Sequence, residues 1–169
     1  MKWKIVVDSS CDLRELTFAH TEEIDFAVVS LKIIVGEREF VDEKGLDTVE
    51  MLEVMENHHG KTSSSAPNAG EWKEAFADGE NVFAITISGA LSGSAAGAHT
   101  ARHLLEQEGI NKNIKIIDSL STGPEMTLYV EKLVEYIEQG LSFEEVSAKI
   151  DKYAKNVRLL YVLESLDNL

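Results

Sequence analysis

Three apolar runs of this chain each end in a burst of hydroxyls: "VDSS" (Asp8, Ser9, Ser10), "ISGALSGS" (Ile87 to Ser94) and "IDSLSTG" (Ile117 to Gly123). A fourth cluster, "KTSSSAP", occupies Lys61 to Pro67. Hydroxyls bind anions by donating hydrogen bonds, and glycines let a ligand approach the backbone. Ser92 and Ser94 stand where a helix is expected to start. Unpaired N–H groups and the helix dipole favour negative charge at such a place. A plain capping role would also suit Ser92 there, since serine is a preferred N-cap. The chemistry on offer is anion binding around Ser92, with Ser88, Gly93 and Ser94 as neighbours.

Several other chemistries are excluded. No Gly-Lys-Ser/Thr follows the glycines and no G-x-G-x-x-G occurs, so neither phosphate-loop pattern is present. Gly89-Ala90-Leu91-Ser92-Gly93 misses the G-x-S-x-G nucleophile elbow. A hydrolase built on Ser92 would also need a base, and His20, His58, His59, His99 and His103 all fall away from expected strand ends. His99 and His103 share a helix face, yet no Glu accompanies them as in H-E-x-x-H, so they are read as surface residues. No catalytic group, metal or cofactor is expected. A net charge of -14 argues against nucleic acid and anionic membranes, both of which need a basic face. Cys11 stands alone, so the chain forms no internal disulfide, and a reducing cytoplasm fits best. The opening "MKWKIVVDSS" is interrupted by Asp8 and is too short for a signal peptide or a membrane span.

The elements that must position these residues follow from hydrophobic periodicity. Strands are expected at Lys4–Val7, Ala27–Val35, Glu39–Val41, Val82–Ile87, Ile114–Ile117 and Leu159–Leu163. Helices are expected at Leu46–Asn57, from Asn68 through Phe76, and over Ser92–Gly109. Two more follow, at Pro124–Gln139 and from Ser142 onward. The stripe Met126, Val130, Leu133, Val134 and Ile137 marks the fourth helix, and Gly140 suits its C-terminal end. Ser142 and Glu145 form a capping box for the fifth. "GKTSSSAP" reads as a loop. Apolar strands alternating with helices predict an α/β domain, three-layered, with a mainly parallel sheet flanked by helices. Ligands of such sheets bind beyond the carboxyl ends of the strands, so the three hydroxyl turns should share one edge.

Six segments in order complete the reading: "IVVDSSCDL", "VVSLKI", "KTSSSAP", "ITISGALSGS", "IIDSLSTG" and the closing "LYVLESLDNL". Together they resemble the DegV family over the whole chain. The resemblance implies a non-catalytic, bacterial fatty-acid-binding protein. It also implies a long-chain fatty acid as ligand, presented in some members to a separate fatty acid kinase. In that family a Thr in a TSxP segment and the Ser of an LSGT segment hold the carboxylate. The match places those roles on Thr62 and Ser92, with Ser63, Ser88, Gly93 and Ser94 as the supporting loop. The sequence departs from the pattern at Ser64-Ser65, at Ser94 for Thr, and at Ser30 where Pro is common. Ile33, Leu31 and Phe40 are candidates for the wall of an acyl tunnel. The resemblance further implies that residues 1–169 are the N-terminal domain, with the family's C-terminal domain outside this chain. Read from the residues alone, a small anionic or phosphorylated metabolite and a serine hydrolase stay open as alternatives.

Overall fold

The computed structural model describes residues 2–160 and 162. Its centre is a four-stranded, wholly parallel sheet in the order β2-β1-β6-β7, formed by β1 (Trp3–Asp8), β2 (Ile24–Val29), β6 (Asn81–Thr86) and β7 (Asn113–Asp118). All six residues of β1 and all six of β6 are buried. This is what central strands covered on both faces require.

Alternation along β1 divides the core. Trp3, Ile5 and Val7 face α4 (Pro124–Glu138) and α5 (Phe143–Ala154), meeting Met126, Val130, Leu133, Val146 and Ile150. Val6 faces the opposite layer, α2 (Ala69–Ala75) and α3 (Ser94–Gln107), with Trp72, Phe76, Ala98, Ala101 and Leu105. The expected three layers are therefore present. Asp8 shares Val6's parity, and so lies on the α3 side of the sheet.

The helix boundaries follow local chemistry. Asn68 with Glu71 and Ser142 with Glu145 both form reciprocal capping boxes, opening α2 and α5. Gly140 takes φ +74 just beyond α4, a left-handed conformation that glycine tolerates without strain.

Several expectations are corrected. The run Ala27–Val35 is two strands: β2 ends at Val29 and β3 (Lys32–Val35) belongs to a second sheet. Both halves are mostly apolar, and Ser30, between them, is the one polar residue that marks the break. The break is held where the Leu31 N–H donates to Ser9 Oγ at 2.9 Å. The second sheet is antiparallel, in the order β4-β3-β5, with β4 at Arg38–Val41. Its third strand, β5 (Thr62–Ser65), lies in the segment expected to be a loop. Serine has poor strand propensity, but pairing with the Lys32–Val35 backbone overrides it. Helix α1 (Thr48–Asn57) buries no residue, and its apolar Val49 and Leu52 are exposed. Helix α3 begins at Ser94 rather than Ser92. Of the expected last strand, Leu159, Leu160 and Val162 lie outside any strand, and Tyr161 and Leu163 fall outside the described residues. Among the described residues, no helix is long and apolar enough to cross a membrane.

Candidate functional site

The strand order reverses between β1 and β6. From β1 the chain goes to one side for β2, then returns to the other side for β6 and β7. In parallel α/β sheets the crevice at such a reversal, beyond the carboxyl ends of the strands, is where ligands bind. The three hydroxyl turns meet there, as expected. The Ser88 N–H donates to the Ser121 carbonyl at 2.8 Å, and the Gly123 N–H to the Ser10 carbonyl at 2.9 Å. The Gly89 N–H donates to Asp118 Oδ1 at 3.1 Å. One network thus ties the exits of β1, β6 and β7 together.

The turn after β6 is tight. Both the Leu91 and Ser92 N–H groups donate to the Ser88 carbonyl. Ser88 is buried, and its Oγ accepts from the Ala90 N–H at 3.3 Å. Gly93 occupies the cap position of α3 without a side-chain cap. Ser92, one residue earlier and half-buried, accepts the Ser94 N–H on its Oγ at 3.3 Å. Ser94 is fully buried and donates its hydroxyl to Asp8 Oδ2 at 2.6 Å. The Ser94 hydrogen therefore points inward. Among the described residues, no protein group accepts the N–H groups of Gly93 and Ala96, which are exposed at the start of α3. Free donors at a helix N-terminus beside the Ser92 hydroxyl are groups of the kind that hydrogen-bond an anion.

Strand β5 supplies the second row of hydroxyls. Thr62 pairs with Val35 and Ser64 with Ile33, while Ile33 also faces Phe40 across β4. Directly opposed residues share a face of a sheet, so Thr62 and Ser64 lie on the face of Ile33, Val35 and Phe40. Ser63 and Ser65 lie on the other, the face of Lys32, whose ammonium sits 3.2 Å from Glu71. The Glu71 and Glu39 carboxylates raise the Lys32 pKa. Of the wall candidates, Ile33 and Phe40 sit on the face of Thr62 and Ser64, and Leu31 precedes the strand.

The end of β5 approaches the Ser92 turn. A Cβ placed on Gly93 would stand 3.9 Å from Ala66 Cβ, and one on Gly97 would stand 2.7 Å from the Pro67 carbonyl. At about 3.3 Å per strand residue, Ser64 lies about 7 Å along the chain from Ala66 and Thr62 about 13 Å. Ser64 is thus the hydroxyl of that face nearer to Ser92. The sequence carried the signal in the spacing of Ser64-Ser65-Ala66-Pro67, which repeats the T-S-x-P interval with Ser in first place.

Other candidates separate from the site. His99 and His103 are exposed on α3, and among the described residues no group of three or more His, Cys, Asp or Glu could hold a metal. Among the described residues, Ser92 has no histidine or carboxylate hydrogen-bond partner. Cys11 is buried beside Thr127, and loss of solvation raises its thiol pKa.

Fold and site together define a parallel α/β domain with a hydroxyl-lined crevice at its topological switch point. The chain belongs to the DegV family: the family model, described as an uncharacterised protein family, matches residues 2–169. A DegV domain-containing protein of Streptococcus pyogenes serotype M1 is 44% identical over 169 residues, covering 100% of this chain and 60% of that relative. The chain thus spans about three-fifths of the curated relatives it matches. Among solved structures, it is similar to the Streptococcus pneumoniae Fatty Acid Kinase (Fak) B3 protein loaded with linoleic acid. That likeness has a TM-score of 0.87 at 40% identity, covering 92% of this chain and 55% of the other. A DegV family protein from Eubacterium eligens loaded with heptadecanoic acid follows at TM-score 0.82 and 37% identity, covering 90% and 54%.

Proposed function

We propose that this protein binds a long-chain fatty acid, holds its carboxylate with Ser/Thr hydroxyls and presents it to a fatty acid kinase. The observation that carries this reading is the close likeness to relatives loaded with linoleic and heptadecanoic acids. Ser92 and the free N–H groups of α3 take the carboxylate, and Thr62 or Ser64 on β5 completes the cradle. Ile33, Val35 and Phe40 continue the same face as apolar wall.

Magnitudes divide the labour. Each buried methylene contributes about 0.8 kcal/mol, so about fourteen give on the order of 11 kcal/mol before ordering costs. Each hydrogen bond to the charged head group adds about 1.5–3 kcal/mol. Hydrocarbon burial therefore sets affinity, and the hydroxyls set orientation. The exposed Gly89, Ala90, Leu91 and Gly93 leave the turn open on one side. A kinase acting on the carboxylate needs that access.

The test is mass spectrometry of lipid extracted from the purified protein, repeated on Thr62→Ala/Ser92→Ala and Ser64→Ala/Ser92→Ala. A stoichiometric C14–C18 acid in the parent, lost in at least one double variant that still unfolds cooperatively, is expected. Undiminished acid in both double variants would refute the cradle. A bound polar phosphate with no lipid would favour a small anionic metabolite instead.

A further inference from the structure

We infer that Asp8 is a positioning residue for this site: it anchors Ser94, whose N–H orients the Ser92 hydroxyl, and so makes the site select a carboxylate. The inference rests on the fatty-acid reading above. Asp8 is the last residue of β1 and is fully buried. Its Oδ2 accepts from the Ile87 N–H at 2.8 Å and from Ser94 Oγ at 2.6 Å. Its Oδ1 accepts from Ser10 Oγ at 2.5 Å and from the Ser10 N–H at 3.3 Å. One side chain therefore grips the exits of β1 and β6 and the first residue of α3, across the point where the strand order reverses.

An ionised carboxylate can only accept hydrogen bonds. Each group around Asp8 must then donate toward it, and the Ser94 hydroxyl hydrogen is held inward. The same residue's N–H donates to Ser92 Oγ. With that oxygen already accepting, the Ser92 hydrogen is left to donate away from the helix, toward a ligand. The Ser94 N–H donates whatever its own hydroxyl does, so Asp8 acts by holding Ser94 in place beside Ser92, and the open end of the arrangement is a donor. Such an end suits an oxygen that only accepts. It gives less advantage to an alcohol, which brings a hydrogen of its own.

Asparagine has the same shape, and its amide oxygen can keep the Ile87 and Ser94 bonds with the NH₂ turned toward Ser10, so the test uses Asp8→Ala, which removes every acceptor. The experiment titrates delipidated protein, in its longest natural form, with oleate and with oleyl alcohol. These probes share a hydrocarbon chain and differ at the head group. Parent protein is expected to prefer oleate. In Asp8→Ala, oleate should weaken about tenfold or more, the effect of one charge-assisted hydrogen bond, while oleyl alcohol changes less than about threefold. Equal weakening of both probes would mean a merely structural role and overturn the inference. So would an unchanged preference, or tighter oleate binding because a buried negative charge had been removed.

Should Asp8→Ala fail to fold, Ser94→Ala and Ser94→Thr decide instead. Ser94→Ala, which removes the bond to Asp8, should lose the preference and Ser94→Thr, which keeps the hydroxyl, should retain it; a preference retained by Ser94→Ala would refute the anchoring role. Parent protein that binds neither probe would refute the fatty-acid reading itself. That outcome is distinct from parent binding with an indifferent Asp8.

Discussion

Gly97→Ala sets two opposed effects against each other at a position that aligns the site. Gly97 lies in the first turns of α3, where alanine in place of glycine favours helix by about 1 kcal/mol. On propensity alone the variant would be more stable. Yet the added methyl carbon would stand 2.7 Å from the Pro67 carbonyl oxygen and 3.3 Å from Trp72 Cδ1. The first is a backbone atom, which cannot rotate aside as a side-chain tip can. Pro67 is buried, and Trp72 is fully buried behind it. Overpacking of this kind costs about 1–3 kcal/mol, and the rigid neighbours argue for the upper part of that range. The net expectation is a loss of about 2 kcal/mol. For a chain of this size that lowers the melting midpoint by about 4–8 °C. Urea unfolding followed by circular dichroism, with the m-value checked for constancy, measures it. A midpoint equal to or above the parent's would refute the reasoning, because it would show that α3 and the β5 exit have room to part. Since the same contact sets the distance from the Ser92 turn to β5, fatty-acid binding should weaken in the variant as well.

Other perturbations sort by burial. Leu133→Ala removes a fully buried side chain from the α4 layer and should cost about 2–5 kcal/mol in urea unfolding, with a loss below about 1 kcal/mol contradicting that packing. Asp47 caps α1 by accepting from the Val49 and Glu50 N–H groups at 3.0 and 2.9 Å. Because α1 buries nothing, Asp47→Ala should speed amide exchange in that helix with little change in the global midpoint; a global loss as large as that of Leu133→Ala would show α1 to be part of the core. Cys11 is 1% exposed, and burial raises its thiol pKa, so at pH 8 less thiolate forms than at a free cysteine. An aromatic disulfide reagent should label it only as fast as the protein opens, and immediate stoichiometric labelling would contradict this. Leu91 is 73% exposed, so Leu91→Ser should leave stability within about 0.5 kcal/mol, as calorimetry can check.

Where the chain's local chemistry is strong, the sequence by itself determined the structure. The apolar runs of β1 and β6, the stripe on α4 and the capping boxes at Asn68 and Ser142 each encode their element within a few residues. So does the gathering of three hydroxyl turns on one edge, which follows from parallel topology alone. Tertiary structure decided the rest, because the deciding partners are distant in sequence. The serine run of β5 has no strand propensity of its own and becomes a strand only against β3. The break between β2 and β3 lies inside one mostly apolar run, marked there by Ser30, and is fixed by Ser9, which accepts from Leu31. Which hydroxyl of β5 lies nearer to Ser92 likewise waits on the approach of Ala66 to Gly93. Asp8 looks like an ordinary turn residue until Ile87 and Ser94, about eighty residues away, close around it. A carboxylate buried without donors would be very costly, and only the folded chain brings those donors to it.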